Sequence, residues 1–269
     1  MIIDLLKRIR FLPIRSLRLH EQTVPRNLER TKQMIQNAEK FTNPIIVEEE
    51  HNIVLDGTHR VRAFAELGYS SVLCQLVDYG TPEIRVGTWF PSVFGARFDD
   101  VLSVFPEAER TGFEEGKRAI EQGRACFLIV GKGVCGLLGC DGSGVSALIA
   151  RQQSVVAKLV GRWHVSYIAD NVADEFVEKG DVVFYKRPYT KKEVIESALK
   201  GKPLPPKSTR HMLPVRVLHS DIPLDWLKLD IEKAQRLLEK ELRERLENEE
   251  IRYYQESVLV LDDAHFRNI

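Results

Sequence analysis

The sequence has no excess of charge of either sign and no long run of apolar residues. It carries 39 basic and 39 acidic residues among 269, so the formal net charge is zero. Proteins whose main partner is nucleic acid usually have a basic excess, so this balance argues against that class. No uninterrupted apolar run approaches the ~20 residues that a membrane-spanning helix needs. We therefore expect neither nucleic acid nor a membrane as the main partner.

Cysteine is scarce, and its spacing does not fit the common zinc motifs. The four cysteines are Cys74, Cys126, Cys135 and Cys140. No CxxC pair with a histidine partner occurs, so a zinc site is not expected. Two or more of the cysteines lie in apolar, strand-like runs, which favours buried free thiols in a reducing compartment. Charged residues interrupt the apolar N-terminal segment, so we expect no signal peptide and a cytoplasmic location.

The standard glycine-rich nucleotide loops are also missing. The segment 131–144 is rich in glycine but contains no GxxxxGK[ST], and it lacks the strand-to-helix context that GxGxxG requires. The run 125–139 instead consists of two apolar stretches about a Gly-Lys-Gly turn, which predicts a β-hairpin.

The pattern around which the chain is organised is Ile53-Val-Leu-Asp-Gly-Thr-His-Arg60, followed by an amphipathic segment that ends at Gly68. It predicts a strand, a tight turn and a helix. The turn would place the N–H groups of Gly57 and Thr58 at a helix N-terminus, where a phosphate is favoured. The side chains of Arg60 and His59 could add further donors.

The sequence allows two roles for Asp56. At the carboxyl end of the strand it could hold Mg²⁺ between itself and the phosphates. An Asp-Gly turn is also very common in proteins, and the carboxylate could simply cap the helix.

Two further loops carry candidate residues. His20 and Glu21 precede a helix predicted from Pro25 to about residue 39, and a carboxylate there is either catalytic, solvated or a cap.

The proline-stiffened loop 203–214 presents Ser208-Thr-Arg-His211 at the start of a predicted strand. Arg210 could bind a small carboxylate, or it could be tied to a nearby acid.

The remaining chain predicts an α+β protein. The first ~95 residues are expected to form one compact unit of strands and two helices, with a strand over 84–91 that ends at Pro91. Thr190 and Glu193 predict a capping box at the start of a helix. A long charged helix is expected over 225–250, packed against a second lobe or against another subunit. A strand-like run follows at 257–261.

Four motifs together resemble the free L-serine kinases, a family known from archaea and from a bacterial siderophore pathway. They are Leu19-His-Glu-Gln22, Val54-Leu-Asp-Gly-Thr-His-Arg60, Thr88-Trp-Phe-Pro91 and Lys207-Ser-Thr-Arg-His-Met-Leu-Pro214. Their order and spacing fit over the chain to about residue 228. The DG-HR turn occurs in many ParB-like domains but the late TRH segment does not, so the combination is more specific than any single motif.

The resemblance implies a ParB/sulfiredoxin-like N-terminal domain over residues 1–95 that binds the nucleotide phosphates. It implies a second mixed α/β lobe over residues 96–269, with the substrate-binding loop 203–214 and a C-terminal helical tail, and a cleft between the two. The implied activity is transfer of a phosphoryl group from ADP or ATP, with Mg²⁺, to the hydroxyl of L-serine.

The resemblance also assigns roles to residues. Glu21 would be the catalytic base, and Asp56 would assist catalysis and hold the metal. The phosphates would be bound by Asp56, Gly57, Thr58, His59 and Arg60, and serine by Trp89, Thr209, Arg210 and His211. These residue types suit phosphoryl transfer, which needs positioning, charge neutralisation and a carboxylate that accepts the hydroxyl proton.

The sequence was compared with three other functions. A ParB-like DNA-binding or nucleotide-switch protein would ordinarily add a helix-turn-helix, and none is evident after residue 95. Sulfiredoxin chemistry needs a cysteine in the phosphate-binding turn, where position 58 is threonine. A regulator that senses serine or nucleotide without turnover fits the same residues. The choice between ADP and ATP and the oligomeric state are not decided by the sequence.

Overall fold

The structure, a computed structural model, describes residues 2–254. The helices in this range are α1 (Ile2–Leu6), α2 (Pro25–Gln36), α3 (Thr58–Glu66), α4 (Phe98–Ser103), α5 (Phe113–Glu121), α6 (Gly144–Val160), α7 (Ala173–Glu178), α8 (Lys191–Leu199) and α9 (Ile231–Glu247). The strands are β1 (Ile9–Pro13), β2 (Arg18–Leu19), β3 (Lys40–Phe41), β4 (Ile45–Glu48), β5 (Ile53–Asp56), β6 (Ser71–Val77), β7 (Arg85–Gly87), β8 (Trp89–Val93), β9 (Glu109–Arg110), β10 (Phe127–Gly131), β11 (Val134–Leu138), β12 (Val165–Ala169), β13 (Val182–Tyr185), β14 (Arg210–Met212) and β15 (Ile222–Pro223). The predicted mixed α/β character is confirmed. None of the helices between residues 2 and 254 is long and apolar enough to cross a membrane.

The described residues form two compact units. The first unit comprises those within 1–83, 197–203 and 213–269, and the second unit comprises 84–196 and 204–212. This division differs from the expected 1–95 and 96–269 in two main respects: residues 84–95 belong to the second unit, and the segment after Met212 belongs to the first. That segment belongs to the first unit because β15 pairs with β3 and because Leu227 is buried in the core there.

The first unit contains a five-stranded mixed sheet in the order β1–β6–β4–β5–β2. β4 and β5 form an antiparallel hairpin, and its register shifts at Ile46 and Val47 so that Ile46 lies opposite Asp56. Such an irregularity bends a strand and re-aims its side chains. β2 runs parallel to β5, with Leu19 opposite Val54. The segments that leave β2 and β5 therefore start from the same edge of the sheet.

The long charged helix α9 packs in the first unit, so its predicted packing against the second lobe is wrong. Ala234 and Leu238 are buried in the first unit's core, and α9 contacts β1. The backbone N–H of Phe11 also donates to the side chain of Gln235 at 3.1 Å. β1 is an edge strand, and the apolar stripe of α9 covers it. The helix begins at residue 231 rather than 225, and the predicted strand over 257–261 lies outside the described residues.

The second unit contains a six-stranded antiparallel sheet in the order β12–β8–β13–β10–β11–β9. The predicted hairpin about Gly-Lys-Gly is confirmed as β10 and β11. The strand predicted over 84–91 is instead two strands, β7 and β8, and Pro91 lies inside β8. β13 pairs with β8 only at Ser92 and Val93, so Pro91 removes no donor from that ladder.

The helix α8 shows the predicted capping box. The side-chain Oγ1 of Thr190 accepts a hydrogen bond from the N–H of Glu193 at 3.2 Å, and Glu193 Oε2 accepts one from the N–H of Thr190 at 2.8 Å. Arg187 adds two hydrogen bonds to the same carboxylate, at 2.7 and 2.9 Å. The carboxylate therefore ties the start of α8 to the preceding loop.

Two of the four cysteines are paired, which corrects the expectation of free thiols. Cys126 and Cys140 form a disulfide, with their Cα atoms 5.1 Å apart. Cys126 directly precedes β10, and Cys140 follows shortly after β11. Phe127, the first residue of β10, pairs with Leu138, the last residue of β11, so the hairpin brings the two cysteines together. Cys74 and Cys135 are free and buried, as expected.

Candidate active site

The Asp56-Gly57 turn connects β5 directly to α3. Gly57 has a left-handed backbone with φ of 99°, and a Cβ at this position would lie 2.6 Å from the side chain of Ile45. Glycine is therefore required here for conformation and for space. Because α3 begins at Thr58, the N-terminus of a helix stands at the carboxyl end of a buried strand. This is the arrangement that the sequence predicted for an anion site.

Asp56 is not the N-cap residue of this helix, since that position is Gly57. Its Oδ2 instead accepts a hydrogen bond from Arg216 Nη1 at 2.8 Å and lies 3.8 Å from Arg60 Nη2. Arg60 also donates to the carbonyl of Asn43. Burial lowers the pKa of the Arg60 guanidinium; Asp56 opposes this shift and Arg216 adds to it. Two arginines thus converge on one carboxylate beside the turn.

A cavity of about 430 Å³ adjoins this cluster in the first unit. Asp56, Arg60 and Arg216 line one part of it, and apolar side chains such as Phe41 and Leu218 line another. Pockets for small ligands usually have volumes of roughly 300–1,000 Å³ and combine apolar walls with a few polar groups. The cavity therefore has the size and composition of a pocket for a small ligand.

His59 is the second residue of α3, and one nitrogen of its ring already has a hydrogen-bond partner. Its Nε2 accepts a hydrogen bond from the backbone N–H of Val24 at 2.9 Å. An accepting Nε2 carries no proton, so the neutral ring holds its hydrogen on Nδ1. Any donation from His59 to a phosphate must therefore come from Nδ1.

Glu21 and His20 follow β2, next to the end of β5. His20 is buried, and its Nδ1 hydrogen-bonds to the carbonyl of Val54. Its Nε2 lies 3.7 Å from Glu21 Oε1. The Glu21 side chain keeps 16% of its surface exposed, whereas the His20 side chain keeps 3%. The parallel pairing of β2 with β5 brings residues 20–21 and 56–60, which are distant in sequence, to one edge of the sheet.

The residues predicted to bind serine lie in the second unit. Thr209 and His211 are buried, and β14 pairs with β7, with Arg210 opposite Gly87. Lys207 Nζ lies 5.1 Å from the centre of the Trp89 ring. The structure therefore divides the predicted site residues into two sets, one set in each unit.

Arg210 is tied to an acid, as one of the two sequence interpretations proposed. Its Nη1 donates to Asp170 Oδ1 and to Asn171 Oδ1, both at 2.8 Å. The other oxygen of Asp170 accepts a hydrogen bond from the backbone N–H of Thr88 at 3.1 Å. Arginine carries N–H donors on three nitrogens, so these two bonds are compatible with a further anion at the guanidinium.

A buried lysine supports the same loop. Lys186 donates to the hydroxyl of Thr88 and, at 3.1 Å, to the carbonyl of Ser208. Gln152 donates to the Ser208 hydroxyl at 3.0 Å. Burying a charge is costly unless it is well hydrogen-bonded, so this network fixes the backbone on both sides of the predicted serine site.

Sequence reasoning missed Arg216, Asp170 and Lys186. None of them lies in a recognisable motif, and their partners are 160, 40 and 98 residues away in the chain. No local pattern in the sequence identifies them.

No protein-family model matches the chain. Among curated proteins it is 29% identical over 231 residues to an ATP-dependent L-serine kinase of Staphylothermus marinus, covering 78% of this chain and 87% of that protein. It is 26% identical over 235 residues to an ADP-dependent L-serine kinase of Thermococcus kodakarensis, covering 81% of this chain and 92% of that protein. A solved free serine kinase in complex with AMP superposes with a TM-score of 0.68 at 25% identity, covering 82% and 93% of the two chains. The resemblance to the free L-serine kinases is confirmed.

Proposed function

We propose that this protein is a free L-serine kinase, which transfers a phosphoryl group from ADP or ATP to the hydroxyl of L-serine. The observation that carries the proposal is the common sheet edge in the first unit, where Glu21 and the Asp56–Arg60 turn come together. A partly exposed acidic side chain and a helix N-terminus with arginines are two of the elements that phosphoryl transfer to an alcohol uses. Similarity to L-serine kinases over about four fifths of the chain gives the acceptor.

The nucleotide occupies the 430 Å³ cavity of the first unit. Its phosphates bind the first N–H groups of α3 and the guanidinium groups of Arg60 and Arg216, which neutralise their charge. The apolar wall that includes Phe41 receives the base. On this proposal the first unit is the ParB/sulfiredoxin-like nucleotide domain that the sequence predicted.

Asp56 is the proposed ligand for Mg²⁺. Its carboxylate borders the cavity and offers the hard oxygen donors that this ion prefers, usually one or two carboxylates together with phosphate oxygens and water. When bound, the ion would neutralise charge on the phosphates. Arg60 and Arg216 share the same carboxylate, so they hold Asp56 in place at the edge of the cavity.

Glu21 is the proposed general base. The serine Oγ attacks the terminal phosphorus while the bond from phosphorus to the leaving phosphate oxygen breaks, and the hydroxyl proton passes to the Glu21 carboxylate. The neighbouring His20 ring is fixed through the carbonyl of Val54, and its Nε2 lies 3.7 Å from that carboxylate. In the second unit, Trp89, Thr209, Arg210 and His211 bind serine, with Arg210 at its carboxylate.

The test is incubation of the purified protein with L-serine, Mg²⁺ and either ADP or ATP, followed by chromatography for O-phosphoserine. We expect product with at least one donor. Glu21→Gln should form no product but should bind AMP as the wild type does. Glu29→Gln is the matched control, because Glu29 is an exposed acid of the same unit that pairs with Lys32. It should retain full activity.

Three results would contradict the proposal. Wild-type rates in Glu21→Gln would exclude Glu21 as the base. Binding of nucleotide and serine without product from either donor would instead indicate a sensing regulator. Salt-dependent binding of duplex DNA without kinase activity would indicate a ParB-like DNA-binding protein.

A further inference from the structure

Free serine carries a negative carboxylate and a positive α-ammonium group. The residues proposed to bind it include a charged partner only for the carboxylate. Its carboxylate is matched by Arg210, but Trp89, Thr209, Arg210 and His211 include no anionic side chain for the α-ammonium group. An ammonium group has three N–H donors and needs acceptors when it leaves water. The side chains proposed to bind serine therefore leave its ammonium group without an anionic partner.

Asp170 is placed to be that acceptor. It follows β12, whose last residue, Ala169, lies opposite Trp89 of β8. Its Oδ1 accepts a hydrogen bond from Arg210 at 2.8 Å, and its Oδ2 accepts one from the N–H of Thr88 at 3.1 Å. The carboxylate thus contacts two of the segments, Thr88–Pro91 and Lys207–Pro214, that the sequence pointed to.

The backbone around Asp170 is shaped to receive its carboxylate. A Cβ on Gly87 would lie 2.6 Å from Asp170 Oδ2, so a side chain at position 87 would displace the acid. The Asp170 side chain still keeps 27% of its surface exposed. Hydrogen bonds from Arg210 and Thr88 therefore fix the carboxylate, while part of the side chain remains exposed to solvent.

The carboxylate has capacity for another donor. An ionised carboxylate accepts about four hydrogen bonds, and two are made here. Serine bound with its carboxylate on Arg210 and its ammonium on Asp170 would complete a ring of alternating charges. Each charge in such a ring has an opposite neighbour, which lowers the cost of removing them from water.

We infer that Asp170 recognises the α-ammonium group and makes the site selective for an amino acid over a hydroxy acid of the same size. The inference rests on the proposed kinase function for the identity of the substrate. It goes beyond that function because it names the residue that binds the amino group.

The experiment measures binding by calorimetry in the presence of AMP, so that it does not depend on turnover. The ligands are L-serine and 3-hydroxypropanoate, which is serine without its amino group. The proteins are the full-length wild type, Asp170→Asn and Asn171→Ala. Asn171 is the matched control because it also accepts a hydrogen bond from Arg210 but carries no charge.

We expect Asp170→Asn to weaken L-serine binding by about 10- to 100-fold, the range for losing a hydrogen bond to a charged group. The affinity for 3-hydroxypropanoate should change by less than about threefold, since the carboxylate contact is kept. Asn171→Ala should leave the ratio of the two affinities unchanged. Asp170→Glu, which keeps the negative charge, should restore part of the preference for serine even if its fold is less stable.

An equal loss for both ligands in Asp170→Asn would show that Asp170 only positions Arg210, and it would overturn the inference. A wild type that binds both ligands equally well, or neither of them, would overturn it too. Failure of the kinase proposal looks different. In that case L-serine binds selectively and the selectivity depends on Asp170, but no phosphoserine forms with either nucleotide.

Discussion

His20 Nε2 lies 3.7 Å from Glu21 Oε1, while Nδ1 of the same ring hydrogen-bonds to the carbonyl of Val54. A carbonyl oxygen can only accept, so Nδ1 carries the hydrogen and Nε2 faces the carboxylate. The ring is buried, and it lies between the backbone of β5 and the proposed base. This pair links the geometry of β5 to the position of Glu21.

We predict that His20→Gln lowers kcat by about 100-fold, because misplacement of a catalytic group by ~1 Å costs roughly that much. The affinity for nucleotide should stay within about threefold of the wild type, since His20 does not line the proposed nucleotide cavity. Steady-state kinetics and an AMP titration measure the two quantities. His51→Gln, at the opposite end of the β4–β5 hairpin, is the control. A kcat within twofold of the wild type for His20→Gln would refute a positioning role.

Arg216→Gln should weaken nucleotide binding by about tenfold, through the loss of one charge-assisted contact to a phosphate. The free energy of unfolding should change by no more than about 1 kcal/mol, because the ion pair with Asp56 is partly exposed and such pairs contribute little. Arg62→Gln on α3 is the control, since Arg62 pairs with Glu66 and does not line the cavity. Titration with ADP tests both variants. Equal affinities of Arg216→Gln and the wild type for ADP would show that Arg216 does not bind the phosphates.

The capping box of α8 predicts a dependence of stability on pH. Burial alone would raise the pKa of Glu193, but the hydrogen bonds from Arg187 and Thr190 outweigh it, and the pKa is lowered below its usual 4.5. A carboxyl with a lowered folded-state pKa stabilises the fold above its unfolded-state pKa, and this contribution is lost as the pH falls through the folded-state value.

Glu193→Gln should therefore reduce the free energy of unfolding by about 1 kcal/mol at pH 7, which is typical for a helix cap. The difference from the wild type should shrink as the pH is lowered from 5 towards 3. Urea unfolding across this pH range provides the measurement. Glu196→Gln, with its long contact to Lys192 at the surface, should show no such trend. A constant difference at every pH would contradict the role of the ionised carboxylate.

The packing of α9 on the first unit predicts a strong contrast between two leucines of one helix. Leu238 is 1% exposed and Leu246 is 39% exposed. Leu238→Ala should cost about 2–5 kcal/mol, the range for creating a cavity in a core, and Leu246→Ala about 0.5 kcal/mol or less. Denaturant unfolding would compare them. Similar losses for both variants would be incompatible with this placement of α9.

The sequence by itself determined the features that depend on neighbours a few residues away. The strand, turn and helix of β5 and α3, the hairpin of β10 and β11 and the Thr190–Glu193 capping box were all predicted and are all observed. Each follows from backbone conformation or from side-chain reach within one or two turns of chain. The motif order also identified the related family, which the comparisons support.

The tertiary structure decided which distant groups meet. It joined Arg216 to Asp56 and Asp170 to Arg210, it packed α9 against β1, and it paired Cys126 with Cys140. Hydrophobic burial is non-directional, so an amphipathic helix such as α9 specifies that it must cover an apolar surface but not which one. An arginine likewise specifies only that it needs an acceptor. The partner is fixed when the sheets and loops have taken their places.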